Sequence, residues 1–118
     1  MLKAFALMLL SAALAFGADI AGTWKGTADS PNGQLTRTFT FKVDGSKLTG
    51  ETESQFMGKS VIENGKVDGD NLSFTIQGEI QGEKVEVKYS GSVSGDTMKL
   101  KGEIASAGFT VEYVAKKQ

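Results

Sequence analysis

Three segments of this chain share one pattern: Val43-Asp44-Gly45-Ser46-Lys47-Leu48, Val67-Asp68-Gly69-Asp70-Asn71-Leu72 and Val93-Ser94-Gly95-Asp96-Thr97-Met98. Each passes from a β-branched apolar residue, through a turn that carries glycine, to a large apolar residue. This is the pattern of a β-hairpin tip, because Asp-Gly and Ser-Gly supply the positive-φ positions that a short turn requires. The three valines stand 24 and 26 residues apart. That interval holds two strands and two turns, so the spacing predicts one meandering antiparallel sheet with all three tips at the same end.

The segments between the tips alternate. Leu35, Arg37, Phe39, Phe41 and Val43 share one parity, with Thr36, Thr38, Thr40 and Lys42 between them. Leu72, Phe74 and Ile76, then Val85, Val87 and Tyr89, then Met98, Leu100 and Ile104, then Phe109, Val111 and Tyr113 repeat the pattern. A period of two with one apolar face is the signature of half-buried strands. We expect strands over 21–28, 34–43, 47–54, 60–67, 71–80, 84–93, 97–104 and 109–115. In the fourth, adjacent Val61 and Ile62 followed by Asn64-Gly65 point to a bulge, which leaves its inward parity open. The fold class expected is all-β: an eight-stranded antiparallel up-and-down β-barrel, which leaves no strand edge exposed, with a two-sheet sandwich as the alternative. The outward residues are Lys, Glu and Thr, where an outer-membrane barrel would carry an apolar band.

The first residues are of another kind. Met1-Leu2-Lys3 is a short basic start, Ala4 to Phe16 is apolar and uncharged, and the small residues Ala15, Gly17 and Ala18 precede Asp19. This is the three-part layout of a secretory signal peptide over residues 1–18, cleaved after Gly17 or Ala18. The apolar run is too short for a membrane anchor. The expected mature chain, 19–118, is a single exported domain, periplasmic or extracellular, monomeric and not inserted in a membrane. Without Lys3 the 13 basic residues fall to 12 against 14 acidic ones, so a nucleic acid is not an expected partner. Cys and His are both absent. The fold then relies on its core rather than on disulfides. The commonest metal ligand and general base are missing too, so we expect neither cofactor nor metal, nor an enzyme. Asp68-Gly69-Asp70-Asn71 offers too few ligands for calcium.

Gly22-Thr23-Trp24 opens the first mature strand, and Phe39-Thr40-Phe41-Lys42-Val43-Asp44-Gly45-Ser46-Lys47-Leu48-Thr49-Gly50-Glu51 follows as a hairpin. Gly-x-Trp in that place resembles lipocalins and their calycin relatives, and Gly-Thr-Trp also opens the avidin-type barrel. Over nearly the whole mature chain the nearest resemblance is to small exported bacterial domains that begin with Gly-Thr-Trp and repeat Val-Asp-Gly-Asp turns. Those domains stand alone or are appended to hydrolases, and no function is established for the group. The calycin resemblance implies a lipocalin-like barrel that carries a small hydrophobic ligand. The chain departs from lipocalins in having no room for a C-terminal helix and Lys116-Lys117 where they place an arginine. It departs from avidins in having Trp24 as its only tryptophan, so biotin is not implied.

The connections sort into two ends. The tips at 44–46, 68–70 and 94–96 close one. The other carries 29–33, 55–59, 81–83 and 105–108, more varied in sequence and the place for a mouth. Trp24 reads as a plug closing the barrel floor, or else as a ligand-facing wall. Arg37, the only arginine, lies on the inward parity near the mouth, where a guanidinium can grip a carboxylate or phosphate. The alternatives are a bulge that turns it outward or a structural pairing with a carboxylate such as Glu63. Phe39, Thr52 and Tyr89 are set with Arg37 as candidate ligand-binding residues, and Tyr89 and Tyr113 bring hydroxyls inward. Phe56 and Met57 are apolar residues in a loop, suited to a lid, a partner contact or a tuck into the core. Gly22, Gly26, Gly50, Gly78, Gly91 and Gly102 share the inward parity; their missing side chains either open a cavity or let the strands coil.

Two functions stay open. One is a binding module for a small apolar or amphipathic ligand, with or without an anionic head. The other is a filled barrel acting through its surface on a secreted protein, for example as an inhibitor of, or accessory to, a hydrolase. The state of the interior separates them, since an eight-stranded barrel is just wide enough to be filled by its own side chains or to hold one small ligand.

Overall fold

A computed structural model describes residues 20–31, 33–55, 58–80 and 82–118. The strands are β1 (Gly22–Ser30), β2 (Gly33–Asp44), β3 (Lys47–Ser54), β4 (Gly58–Val61), β5 (Glu63–Asp68), β6 (Asn71–Ile80), β7 (Glu83–Ser94), β8 (Thr97–Ile104) and β9 (Phe109–Lys117). Every pairing is antiparallel; most join chain neighbours, β3 pairs with both β4 and β5, β1 pairs with β9, and β2 with β3 completes the circuit. The result is a closed all-β barrel of eight staves, as the alternation predicts. The segment expected to be a leader, residues 1–18, and Phe56 and Met57 lie outside the described residues.

The expected fourth strand is two strands. β4 and β5 pair in turn with β3 and together make one stave, interrupted at Ile62. Ile62 is buried and donates its N–H to the Gly50 carbonyl at 2.9 Å. Asn64 then takes φ 53°, and the register against β6 shifts between Glu63 and Lys66. This is the bulge foreseen at Asn64-Gly65. It re-aims the stave so that Ser60, Ile62 and Val67 all face inward, while Val61 is 66% exposed. The connection after β8 is more ordered than a plain loop: Ala105–Ala107 form a single 3-10 turn, closed by Gly108 in the left-handed conformation.

The three repeated segments are two-residue hairpins. Asp44 faces Lys47, Asp68 faces Asn71 and Ser94 faces Thr97. Gly45, Gly69 and Gly95 hold φ of 63°, 61° and 63°. Asn64 is the one described non-glycine residue with positive φ, so only the first loop position uses it, which fits a type II′ turn. Each tip is also tied to the stave beyond it. The carbonyls of Ser46, Asp70 and Asp96 accept from the N–H groups of Val67, Val93 and Lys117 at 2.8, 2.9 and 3.0 Å. The intervals of 24 and 26 residues seen in the sequence are therefore each the length of two staves.

Trp24 closes this turn-bearing end. It is fully buried, its Nε1 donates to the Ile20 carbonyl at 2.9 Å, and the Lys117 ammonium lies 5.6 Å from the centre of its ring. Gln118 donates to the Thr23 carbonyl beside it. The outer face is polar, with Lys59–Glu51 and Lys101–Glu103 ion pairs at 3.6 and 3.5 Å, and Lys88 lies directly across from Glu103. Among the described residues, no helix is long and apolar enough to cross a membrane.

Candidate functional site

The interior is occupied by aromatic rings. Phe39 on β2 is the hub, with its ring centre 5.9 Å from Phe41, 6.3 Å from Phe74 on β6, 5.8 Å from Tyr89 on β7 and 5.8 Å from Tyr113 on β9. Phe74 and Tyr89 stack at 4.9 Å. Most of these contacts are edge-to-face or offset, the favoured arrangements for aromatic pairs. Strands on opposite sides of the barrel thus meet through their side chains, and Phe39 has no exposed surface.

The inward glycines complete this packing. A Cβ on Gly26 would stand 3.0 Å from the Phe39 ring and 3.3 Å from that of Tyr113, and one on Gly102 would stand 2.8 Å from the Tyr89 ring. The space these glycines leave is therefore filled by rings from neighbouring strands, as when an aromatic covers a sheet glycine. Gly50 has a different task. With φ of 138°, and with a Cβ position 1.9 Å from the Thr40 carbonyl oxygen, it lets β3 coil against β2.

Above the aromatic layer, towards the loops, sits a polar corner. Alternation along β2 aims Arg37 inward, and it is 3% exposed. Its Nη1 donates to Thr52 Oγ1 at 2.7 Å and its Nη2 to Ser54 Oγ at 3.1 Å, both on β3. Ser60 on β4 is buried next to them, directly across from Thr52. Glu63 is exposed, and Arg37 is buried rather than turned outward by a bulge. Burial pushes the Tyr89 phenol up to about 12, against a downward pull from the Arg37 charge and a smaller upward push from Tyr113. A guanidinium costs a good deal to desolvate, and the hydroxyls of β3 offset part of that cost while fixing its orientation.

The structure therefore brings Arg37, Phe39, Thr52 and Tyr89 together, and Trp24 lies directly across from Phe39 on the side away from Arg37, towards the turn-bearing end. Ser54 and Ser60 were not singled out in the sequence, although Ser54 shares the parity of Thr52. Phe39 and Phe41 are packed into the core, so the polar corner sits on a solid floor.

Open space begins outside this corner. The seam between β1 and β9 pairs Trp24 with Lys117 through to Thr27 with Val114 and then stops. Beyond it a cleft of about 420 Å³ opens, lined by Asp29, Ser30, Pro31 and Leu35 on one side and Phe109, Thr110, Val111 and Glu112 on the other. Phe109 is 46% exposed at its edge. A second groove of about 720 Å³ runs along the outer side of β1–β3 past Lys25, Thr36, Thr38 and Glu53. Its walls are mainly the outer face of the strands, with Leu35 shared between this groove and the cleft. Among the described residues no three His, Cys, Asp or Glu side chains gather where they could hold a metal ion.

Comparison with protein-family models, with curated proteins and with solved structures returns no match to this chain.

Proposed function

We propose that this protein is an exported binding module, a filled barrel that meets a partner protein through its loop-bearing end. The observation that carries the reading is the Phe39-centred aromatic cluster. It spans the barrel from β2 to β6, β7 and β9 and occupies the space over Gly26 and Gly102, where the tail of a carried lipid would lie. Binding then falls to the rim, where a cleft and an exposed phenylalanine stand. Residues 1–18 would act as the leader that brings the domain to the periplasm or the exterior. The role needs no catalytic group, which suits a chain without His or Cys. The calycin resemblance of Gly22-Thr23-Trp24 fits this architecture, with the ligand-carrying lumen replaced by packed rings.

One observation favours a second reading, a small amphipathic ligand with an anionic head: the Arg37 guanidinium points inward near the mouth, where Thr52 and Ser54 fix its orientation. Titrating a fluorescent fatty acid into the wild type and Arg37→Gln separates the two. The filled-barrel reading expects no saturable binding to either protein. Saturable binding that weakens more than about tenfold in Arg37→Gln, the cost of losing a charge-assisted contact, would establish the carrier reading in its place.

A further inference from the structure

The end of the β1–β9 seam leaves part of a strand without a partner. β9 pairs with β8 over its whole length but with β1 only from Val114 to Lys117. Phe109 to Tyr113 therefore present one edge of β9 to the cleft, facing the last residues of β1. An uncovered strand edge is a template for another strand, and proteins usually keep such edges short or covered. This one spans five residues, is flanked by a cleft and, among the described residues, is capped neither by a helix nor by a pairing in the sheet.

The side chains around the edge define what would suit it. Along β9 the inward positions are Phe109 and Val111, with Leu35 across the cleft; the outward positions are Thr110 and Glu112, with Asp29 across from them. Asp29 and Glu112 are both exposed. A strand added here repeats the same alternation, because side chains on neighbouring strands share faces. Alternate residues then meet an apolar wall and an acidic rim.

We propose, building on the partner-binding reading above, that this cleft takes an extended peptide segment of the partner as an additional strand along Phe109–Tyr113. Its apolar side chains turn towards Leu35 and Val111, and its basic ones towards Asp29 and Glu112. Main-chain hydrogen bonds supply affinity in such strand addition, and the alternating side chains supply choice.

The test uses the mature protein and three blocked peptides: alternating lysine and valine, alternating glutamate and valine, and the lysine–valine peptide with a central proline. The lysine–valine peptide is expected to bind and to slow amide exchange within Phe109–Tyr113. The proline peptide should bind more weakly, since it lacks a ladder donor. The double variant Asp29→Lys with Glu112→Lys should lose about tenfold in affinity for the lysine–valine peptide and improve for the glutamate one, because rim charges select partners of opposite sign. Binding that ignores the double variant, or protection confined to other strands, would overturn the cleft assignment and leave the partner-binding reading standing. No binding of any peptide would also overturn the assignment; the fatty-acid titration alone then decides between the broader readings.

Discussion

Replacing Trp24 by alanine tests whether the turn-bearing end is closed by packing. Trp24 has no exposed surface, and a tryptophan buries roughly 150–250 Å². At about 25 cal/mol per Å² the lost transfer energy is about 4–6 kcal/mol, an upper bound because unfolded chains are not fully extended. Losing the Nε1 contact also leaves the Ile20 carbonyl without this donor, a cost of about 1–3 kcal/mol if nothing replaces it. Collapse of the floor and entry of water offset part of the sum, so we expect the loss to fall near the top of the usual aromatic-to-alanine range, about 5 kcal/mol. For a domain of this size that equals most of the stability a folded chain has. The assay is urea unfolding followed by far-UV circular dichroism, since the variant removes the only tryptophan. Trp24→Phe separates the two contributions: it keeps a ring and loses the donor, and should cost about 2 kcal/mol. An alanine variant within 1 kcal/mol of wild type would refute the plug. A phenylalanine variant as damaged as the alanine one would move the cause from packing to the hydrogen bond.

Gly102→Ala should destabilise by about 1–3 kcal/mol, because its new methyl meets the Tyr89 ring at 2.8 Å; thermal unfolding unchanged from wild type would show that the ring layer is loose. The Tyr89 phenol, held at about 12 against 10.0, predicts a loss of stability at high pH. A folded-state pKa above the unfolded one gives stability that is complete below pH 10 and disappears as pH rises through 12, about 2–3 kcal/mol in all. Urea midpoints between pH 9 and 12 should therefore fall less steeply in Tyr89→Phe, and parallel curves would contradict the burial of the phenol.

Much of the fold is legible in the sequence because its rules are local. A two-residue hairpin writes its need for positive φ as a glycine, and a half-buried strand writes its two faces as alternation. The bulge at Asn64-Gly65 shows for the same reason, since asparagine is among the few side chains that tolerate φ 53°. The break at Ile62 is hidden, because two adjacent apolar residues fit either a bulge or a change of face. The site is legible only in part. Parity placed Arg37, Phe39, Thr52 and Tyr89 inward. It does not tell whether the gap beside an inward glycine is empty or holds a ring from a distant strand, as Gly26 and Gly102 do. The end of the seam is also invisible, because the stagger between the first strand and the last depends on the coiling of every stave between them. Phe109, just after Gly108, was therefore readable as a strand start but not as the wall of a cleft.

The hydrogen bond from Gln118 to the Thr23 carbonyl brings the last strand back beside the first, at the end that also holds the three tips. Lys117 meets the Asp96 carbonyl as Val67 and Val93 meet the earlier tips, so Gln118 and Ile20, whose carbonyl holds Trp24, stand at a fourth corner of the same kind. A short linker from Gln118 to Ile20 would turn residues 20–118 into a ring, and cutting any one tip would then give a new starting point with the same sheet. For anyone building with this molecule the order of its strands is a cycle whose origin is a matter of choice. Whatever is fused at that corner stands at the opposite end from the cleft and leaves it facing outward.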